Sequence, residues 1–149
     1  MSVNPERAPS EYDLFTPFGR FHVAAQDVIQ FPSGVPGFED SRRFVLLSSP
    51  ESHPLSFLQS VDDAVSFFVV DPRQVLPEYR CVLSQTDLMR LGAAADVVLL
   101  WLSIVSFDDG DNAFVNLRAP IVVNPERMLG YQVMPHNSLY PLRHPLAAE

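Results

Sequence analysis

Fourteen prolines are spread along the 149 residues, from Pro5 to Pro145. Each fixes its own φ near −65°, removes a backbone donor and pushes the residue before it toward extended geometry. Long helices do not survive that spacing. Short strands joined by turns do, and the runs between the prolines are of that kind. Arg43 to Ser48, Val65 to Val70, Val97 to Phe107, Ala113 to Val123 and Tyr131 to Pro135 are rich in apolar, β-branched and aromatic residues. Arg20 to Gln30 alternates weakly, and Leu55 to Gln59 is a brief extended piece. Val97 to Phe107 is the strongest run. It starts apolar on both faces, so it is expected to be central, with Trp101 buried in it. Asp108-Asp109-Gly110-Asp111-Asn112 separates it from the next run and reads as a hairpin connection. One helix is signalled. Ser84 to Asp87 resembles a capping box, Leu88, Met89 and Leu91 follow, and Gly92 is placed to end it. The fold class is therefore mainly β, a small sandwich or barrel with one short helix. Residues 1–16 are polar and aperiodic and are expected to form a flexible arm, leaving 17–149 as one domain.

Phe31 to Glu39 holds two prolines and two glycines in nine residues. Pro36-Gly37 suits the central positions of a type II turn, where glycine supplies the positive φ. Phe38 then either caps the core or faces a partner.

Charge and chemistry-bearing residues exclude more than they suggest. Ten basic against eighteen acidic residues leave a net charge of −8, which suits neither a phosphate backbone nor an anionic membrane surface. It suits a basic protein partner. All ten basic residues are arginine, so lysine chemistry is absent. The single cysteine, Cys81, excludes an internal disulfide and a multi-cysteine zinc site. The polar start has no apolar core of a signal peptide, and the longest apolar run, Val97 to Leu102, falls far short of the ~20 residues of a membrane span. The expectation is a cytoplasmic protein. His22, His53, His136 and His144 lie in loop-like sequence without metal-ligand spacing. The carboxylate groups Asp62-Asp63 and Asp108-Asp109-Asp111 sit in expected turns. Neither catalytic residues, nor a cofactor, nor a metal is expected. A small oligonucleotide-binding barrel and a small hydrolase using Cys81 are the competing readings.

Several phrases, in order, resemble one family. Phe31 to Glu39 (FPSGVPGFE) resembles F-x-x-G-[LI]-P-G-F-E. Pro54 to Ser60 (PLSFLQS), Ala64 to Pro72 (AVSFFVVDP), Ala113 to Asn124 (AFVNLRAPIVVN), Gly130 to Val133 and Tyr140 to Arg143 continue the pattern. The chain is similar, over about residues 20 to 146, to the flagellar assembly factor FliW family. The resemblance implies a small antiparallel β-barrel-like domain with no enzymatic role. It also implies two protein partners, flagellin and the RNA-binding translational repressor CsrA, whose activity the free protein antagonises. The candidate contact residues are Phe38, Glu39, Asp62, Asp63, Asp108, Asp109, Asp111, Phe114, Asn116 and Arg118. Phe114, Asn116 and Arg118 would share one strand face. The five aspartates would add negative potential beside the RNA-binding protein.

Overall fold

Turn-forming residues cut the chain into short strands, none longer than eight residues among those described. The structure, a computed structural model, describes residues 10–146. In chain order these form β1 (Glu11–Thr16), β2 (Gly19–Ala24), a 3-10 turn (Ala25–Asp27), β3 (Ile29–Gln30), β4 (Arg43–Ser48), β5 (Ser56–Ser60) and β6 (Ser66–Val70). Then come α1 (Pro72–Val75), α2 (Gln85–Arg90), β7 (Leu100–Phe107), β8 (Ala113–Val115), β9 (Ile121–Asn124), β10 (Leu129–Gln132) and β11 (His144–Pro145).

Seven of these strands close a barrel in the order β7-β6-β5-β4-β3-β10-β9, with β9 returning to β7. Closure removes the open edges that a flat sheet would expose. It depends on β7, the long apolar strand expected to be central. One side of β7 pairs with β6, Phe68 opposite Val105. The other side takes two partners in succession, β8 against Val105–Phe107 and β9 against Leu100–Leu102. All barrel pairings are antiparallel except β3 with β10.

Period-2 alternation sorts the side chains. Phe44, Leu58, Val69, Leu102, Ile121 and Val123 fill one cluster with Phe31, which is the barrel interior. Gly130 makes room there, because a Cβ at 130 would stand 2.5 Å from Cζ of Phe31. Alternate residues on the same strands form three further clusters outside the wall. Val45, Leu47 and Phe57 are covered by Leu14 and Val23 of the β1–β2 hairpin. Val70, Val105, Val115 and Leu117 lie under Tyr79 and the segment around it. Val122 and Val133 lie with Leu91, just past α2.

Four expectations need correction. Residues 11–16 are not a loose arm. They form β1, paired with β2 from Glu11↔Ala24 to Thr16↔Gly19, and Leu14 is buried. Phe18, in the hairpin turn, packs 4.9 Å from the ring of Phe57. Residues 1–9 of that expected arm lie outside the described residues. Ala113 to Val123 is not one strand. The Oδ1 of Asn116 accepts from the backbone N–H groups of Arg118 and Ala119, and Pro120 has no N–H to give the ladder. The path along β7 therefore breaks into β8 and β9. Trp101 is only partly buried, on the outer face beside the Leu91 cluster, and Leu100 is partly exposed. A second short helix, α1, follows Asp71, whose side chain accepts from the N–H of Arg73 while Pro72 occupies the first turn.

The capping box at Ser84 and Asp87 and the hairpin at 108–112 form as expected. So does the type II turn, in which the N–H of Phe38 donates to the carbonyl of Val35 at 2.6 Å and Gly37 has φ of +88°.

Candidate functional site

Strand register brings three connections to one end of the barrel. β3, β5 and β7 finish there, and β4, β6 and β8 begin there. The connections 31–42, 61–65 and 108–112 consequently share that end, and they carry seven of the ten residues expected from sequence.

The first two connections are tied together. Phe38 sets its ring edge-on to Phe67 at 5.2 Å and remains nearly half exposed. It caps the interior and still offers a surface. Ser41 donates from its hydroxyl to Asp63 at 2.7 Å. That bond, helped by the N–H of Val65, holds the Asp63 carboxyl below its ordinary value. Glu39 turns its carboxylate back to the N–H of Gly37 at 2.7 Å. Asp62 pairs with Arg43, whose guanidinium also donates to the Tyr12 hydroxyl at 3.0 Å. This pairing raises the Arg43 pKa further and links the loop to β1.

The third connection divides the remaining aspartates by role. Asp108 accepts from the N–H groups of Gly110 and Asn112, both at 2.9 Å, and its pKa is lowered by Asn112 first of all. Asp111 adopts φ of +61°, a left-handed conformation that Asp tolerates at a turn. Asp109 and Asp111 make no ion pair with the described residues. Of the five aspartates, three are thus built into loops and two stand free in solvent.

Phe114, Asn116 and Arg118 do not share a strand face. Phe114 lies on β8 under the Arg143 guanidinium, 4.1 Å from its ring centre. Asn116 is spent on the turn beyond β8, and Arg118 donates from Nε to the carbonyl of Tyr140 at 2.9 Å. All three serve local structure here. Two of the four histidines depart from the loop expectation, while His53 and His136 lie outside the strands and helices as expected. His22 lies within β2 and His144 within β11. Nδ1 of His22 stands 2.9 Å from Asp13, and Glu11 lies at 3.4 Å from Nε2. The hydrogen bond to Asp13 raises the His22 pKa from the ordinary 6.5.

A groove of about 1100 Å³, missed by sequence reasoning, runs between residues 79–90 and 131–140 on the outer wall. Its frame is rigid. Tyr79 and Tyr140 pack with ring centres 4.6 Å apart and planes tilted by 32°, the Tyr79 hydroxyl donates to the carbonyl of Leu117, and the Tyr140 hydroxyl accepts from the N–H of Arg80. Burial pushes the Tyr79 phenol well above its ordinary value. Arg90, on α2, lies over the Tyr131 ring at 4.8 Å and donates to its hydroxyl. Cys81, half-buried in the wall, has its thiol pKa raised by burial, which disfavours the reactive thiolate. No spacing motif marks this groove, because it joins two segments about fifty residues apart.

No group of three or more His, Cys, Asp or Glu side chains placed to hold a metal occurs among the described residues. No helix among them is long and apolar enough to cross a membrane.

The family model described as FliW protein matches residues 15–146. The chain is 38% identical over 132 residues to the flagellar assembly factor FliW of Natranaerobius thermophilus, covering 87% of each. It is 34% identical over 137 residues to that of Thermotoga neapolitana, covering 90% of this chain and 92% of the relative. A crystal structure of the flagellar assembly factor FliW superposes with a TM-score of 0.82 at 31% identity, over 91% of this chain and 97% of that one.

Proposed function

Because the chain belongs to the FliW family, we propose that it acts as a flagellar assembly factor that works by binding and not by catalysis. In this reading it holds flagellin before export. Once flagellin leaves, the freed protein binds the repressor CsrA and relieves its block on flagellin translation. The observation that carries the reading is the family match across residues 15–146, on a barrel of the same fold. The site geometry supports a role for the barrel end in meeting a basic partner. Asp109 and Asp111 project free charge there, and the half-exposed Phe38 ring offers an apolar anchor.

The test is co-purification with the tagged chain from flagellated cells, in secretion-competent and secretion-blocked states. Flagellin should dominate when secretion is blocked and CsrA when it runs. Recovery of neither protein in either state would overturn the proposal.

A further inference from the structure

The groove between residues 79–90 and 131–140 has the wrong shape for a small molecule. Ligand pockets enclose most of their occupant with apolar walls. Here the apolar side chains stand out from the rim instead. Leu139 is 98% exposed, Val82 89% and Met134 54%, and all three line the groove. Isolated exposed apolar residues are ordinary, but three around one depression form the kind of patch that marks a macromolecular contact. One is a methionine, Met134, whose flexible thioether adapts to varied apolar partners. The frame beneath is fixed by the Tyr79–Tyr140 pair and the capped α2, so an occupant meets a ready surface.

Charge then selects the occupant. The chain as a whole carries −8, yet this groove is basic. Arg80 and His136 line it, and neither forms an ion pair with a described carboxylate. Arg90 keeps its charge while bound to a neutral phenol. Asp87, the one lining carboxylate among the described residues, is turned to the backbone N–H of Ser84. A basic partner drawn to the acidic molecule at large would meet like charge in this groove.

We infer that this groove is a docking site for a short amphipathic protein segment that presents apolar side chains flanked by carboxylates. Leu139, Val82 and Met134 grip its apolar side, and Arg80 pairs with its carboxylates. Its lining includes no residue of the connections 31–42, 61–65 and 108–112.

The single cysteine reports occupancy directly, since Cys81 is part of the groove wall. The intact chain is mixed with labelled 15-residue amphipathic peptides that share one Leu and Met face and differ only in carrying Glu or Lys. Binding is read by fluorescence anisotropy and by the rate at which Cys81 reacts with a thiol reagent. The Glu peptides should bind at least tenfold tighter than the Lys peptides and slow Cys81 at least fivefold. Leu139→Asp should abolish both effects, and Arg80→Glu should reverse the charge preference. Both positions are exposed, so the variants retain the fold, which thermal melts verify. Equal or reversed preference in the wild-type chain would overturn the inference. So would binding that leaves Cys81 unprotected, or no binding by any peptide. Protection of Cys81 that rises with protein concentration alone would assign the groove to a second copy and equally overturn it. Because the peptides stand apart from flagellin and CsrA, failure here leaves the functional reading intact, and the converse also holds.

Discussion

Gly34 and Gly37 are both left-handed, at φ of +68° and +88°, but only one is crowded. A Cβ added at Gly37 meets nothing within 4 Å. A Cβ added at Gly34 would stand 2.6 Å from both Cα and O of Glu39. Those are backbone atoms and cannot rotate away. Alanine at either site bears the left-handed penalty of about 1–2 kcal/mol, offset by ~0.4–1 kcal/mol from a less disordered unfolded chain. Gly37→Ala should therefore lose only about 0.5–1 kcal/mol. Gly34→Ala must also force open the 34–39 loop, and overpacking of that kind costs about 1–3 kcal/mol more. A gap of about 2 kcal/mol between the variants corresponds to roughly 4–8 °C in melting temperature for a chain of this size. The assay is paired thermal unfolding followed by circular dichroism, with Gly37→Ala as the internal control for φ strain. Melting temperatures within 1 °C of each other would refute the close-approach argument. They would leave φ alone as the reason for glycine at both positions.

Ser103 is fully buried and its hydroxyl has no hydrogen-bond partner among the described residues, so Ser103→Ala should stabilise by about 1 kcal/mol in chemical denaturation. Asp109→Asn with Asp111→Asn should leave stability within ~0.5 kcal/mol of wild type, whereas Asp108→Asn should cost about 1 kcal/mol by weakening the loop. The double variant thus removes free charge without harming the hairpin. If charge contributes to antagonism of an RNA-binding partner, RNA release measured at low and high salt should fall most at low salt. The Asp13–His22 pair gives the β1–β2 hairpin a pH window. Asp13 is lowered from 3.8 by its bond to His22, so its contribution is lost as pH falls through that lowered value. His22 is raised from 6.5, so its contribution is complete below 6.5 and is lost as pH rises through the raised value. NMR titration of His22 in Asp13→Asn should return its pKa toward 6.5. Truncation through Phe18 should uncover Val45, Leu47 and Phe57 and lower the unfolding midpoint by several degrees, with dye binding to exposed apolar surface.

Local chemistry was legible in the sequence, and long-range arrangement was not. The 108–112 hairpin, the Pro36-Gly37 turn and the Ser84 cap follow from residues a few positions apart, and each formed. β1 was overlooked although Tyr12 and Leu14 alternate with Glu11 and Asp13. Phe15, 77% exposed, broke the apparent polarity of the outer face, and flanking prolines suggested a coil. The break at Asn116 was disguised because Leu117 and Ala119 are buried, which keeps the run apolar where the strand stops. Of the candidate contact residues, sequence named loops that meet at one end of the barrel but could not tell Asp108, bound into its own turn, from Asp109. The groove escaped because its walls meet only after the barrel closes.

That closure rests unevenly on its seams. β4 and β5 face each other over five residue pairs, while β3 meets β10 through Gln30 and Leu129, with the N–H of Gln30 donating to the carbonyl of Met128 at 2.8 Å. The two strands are also far apart along the chain, so the entropy of joining them is large and few contacts repay it. This seam should be the last to zip during folding and the first to part in native fluctuations. In hydrogen exchange, the Gln30 amide should open below the global unfolding energy while those of Leu46 and Leu58 follow it. The barrel would then behave less as a rigid ring than as a clasp, with its hinge line at β4–β5 and its catch at β3–β10.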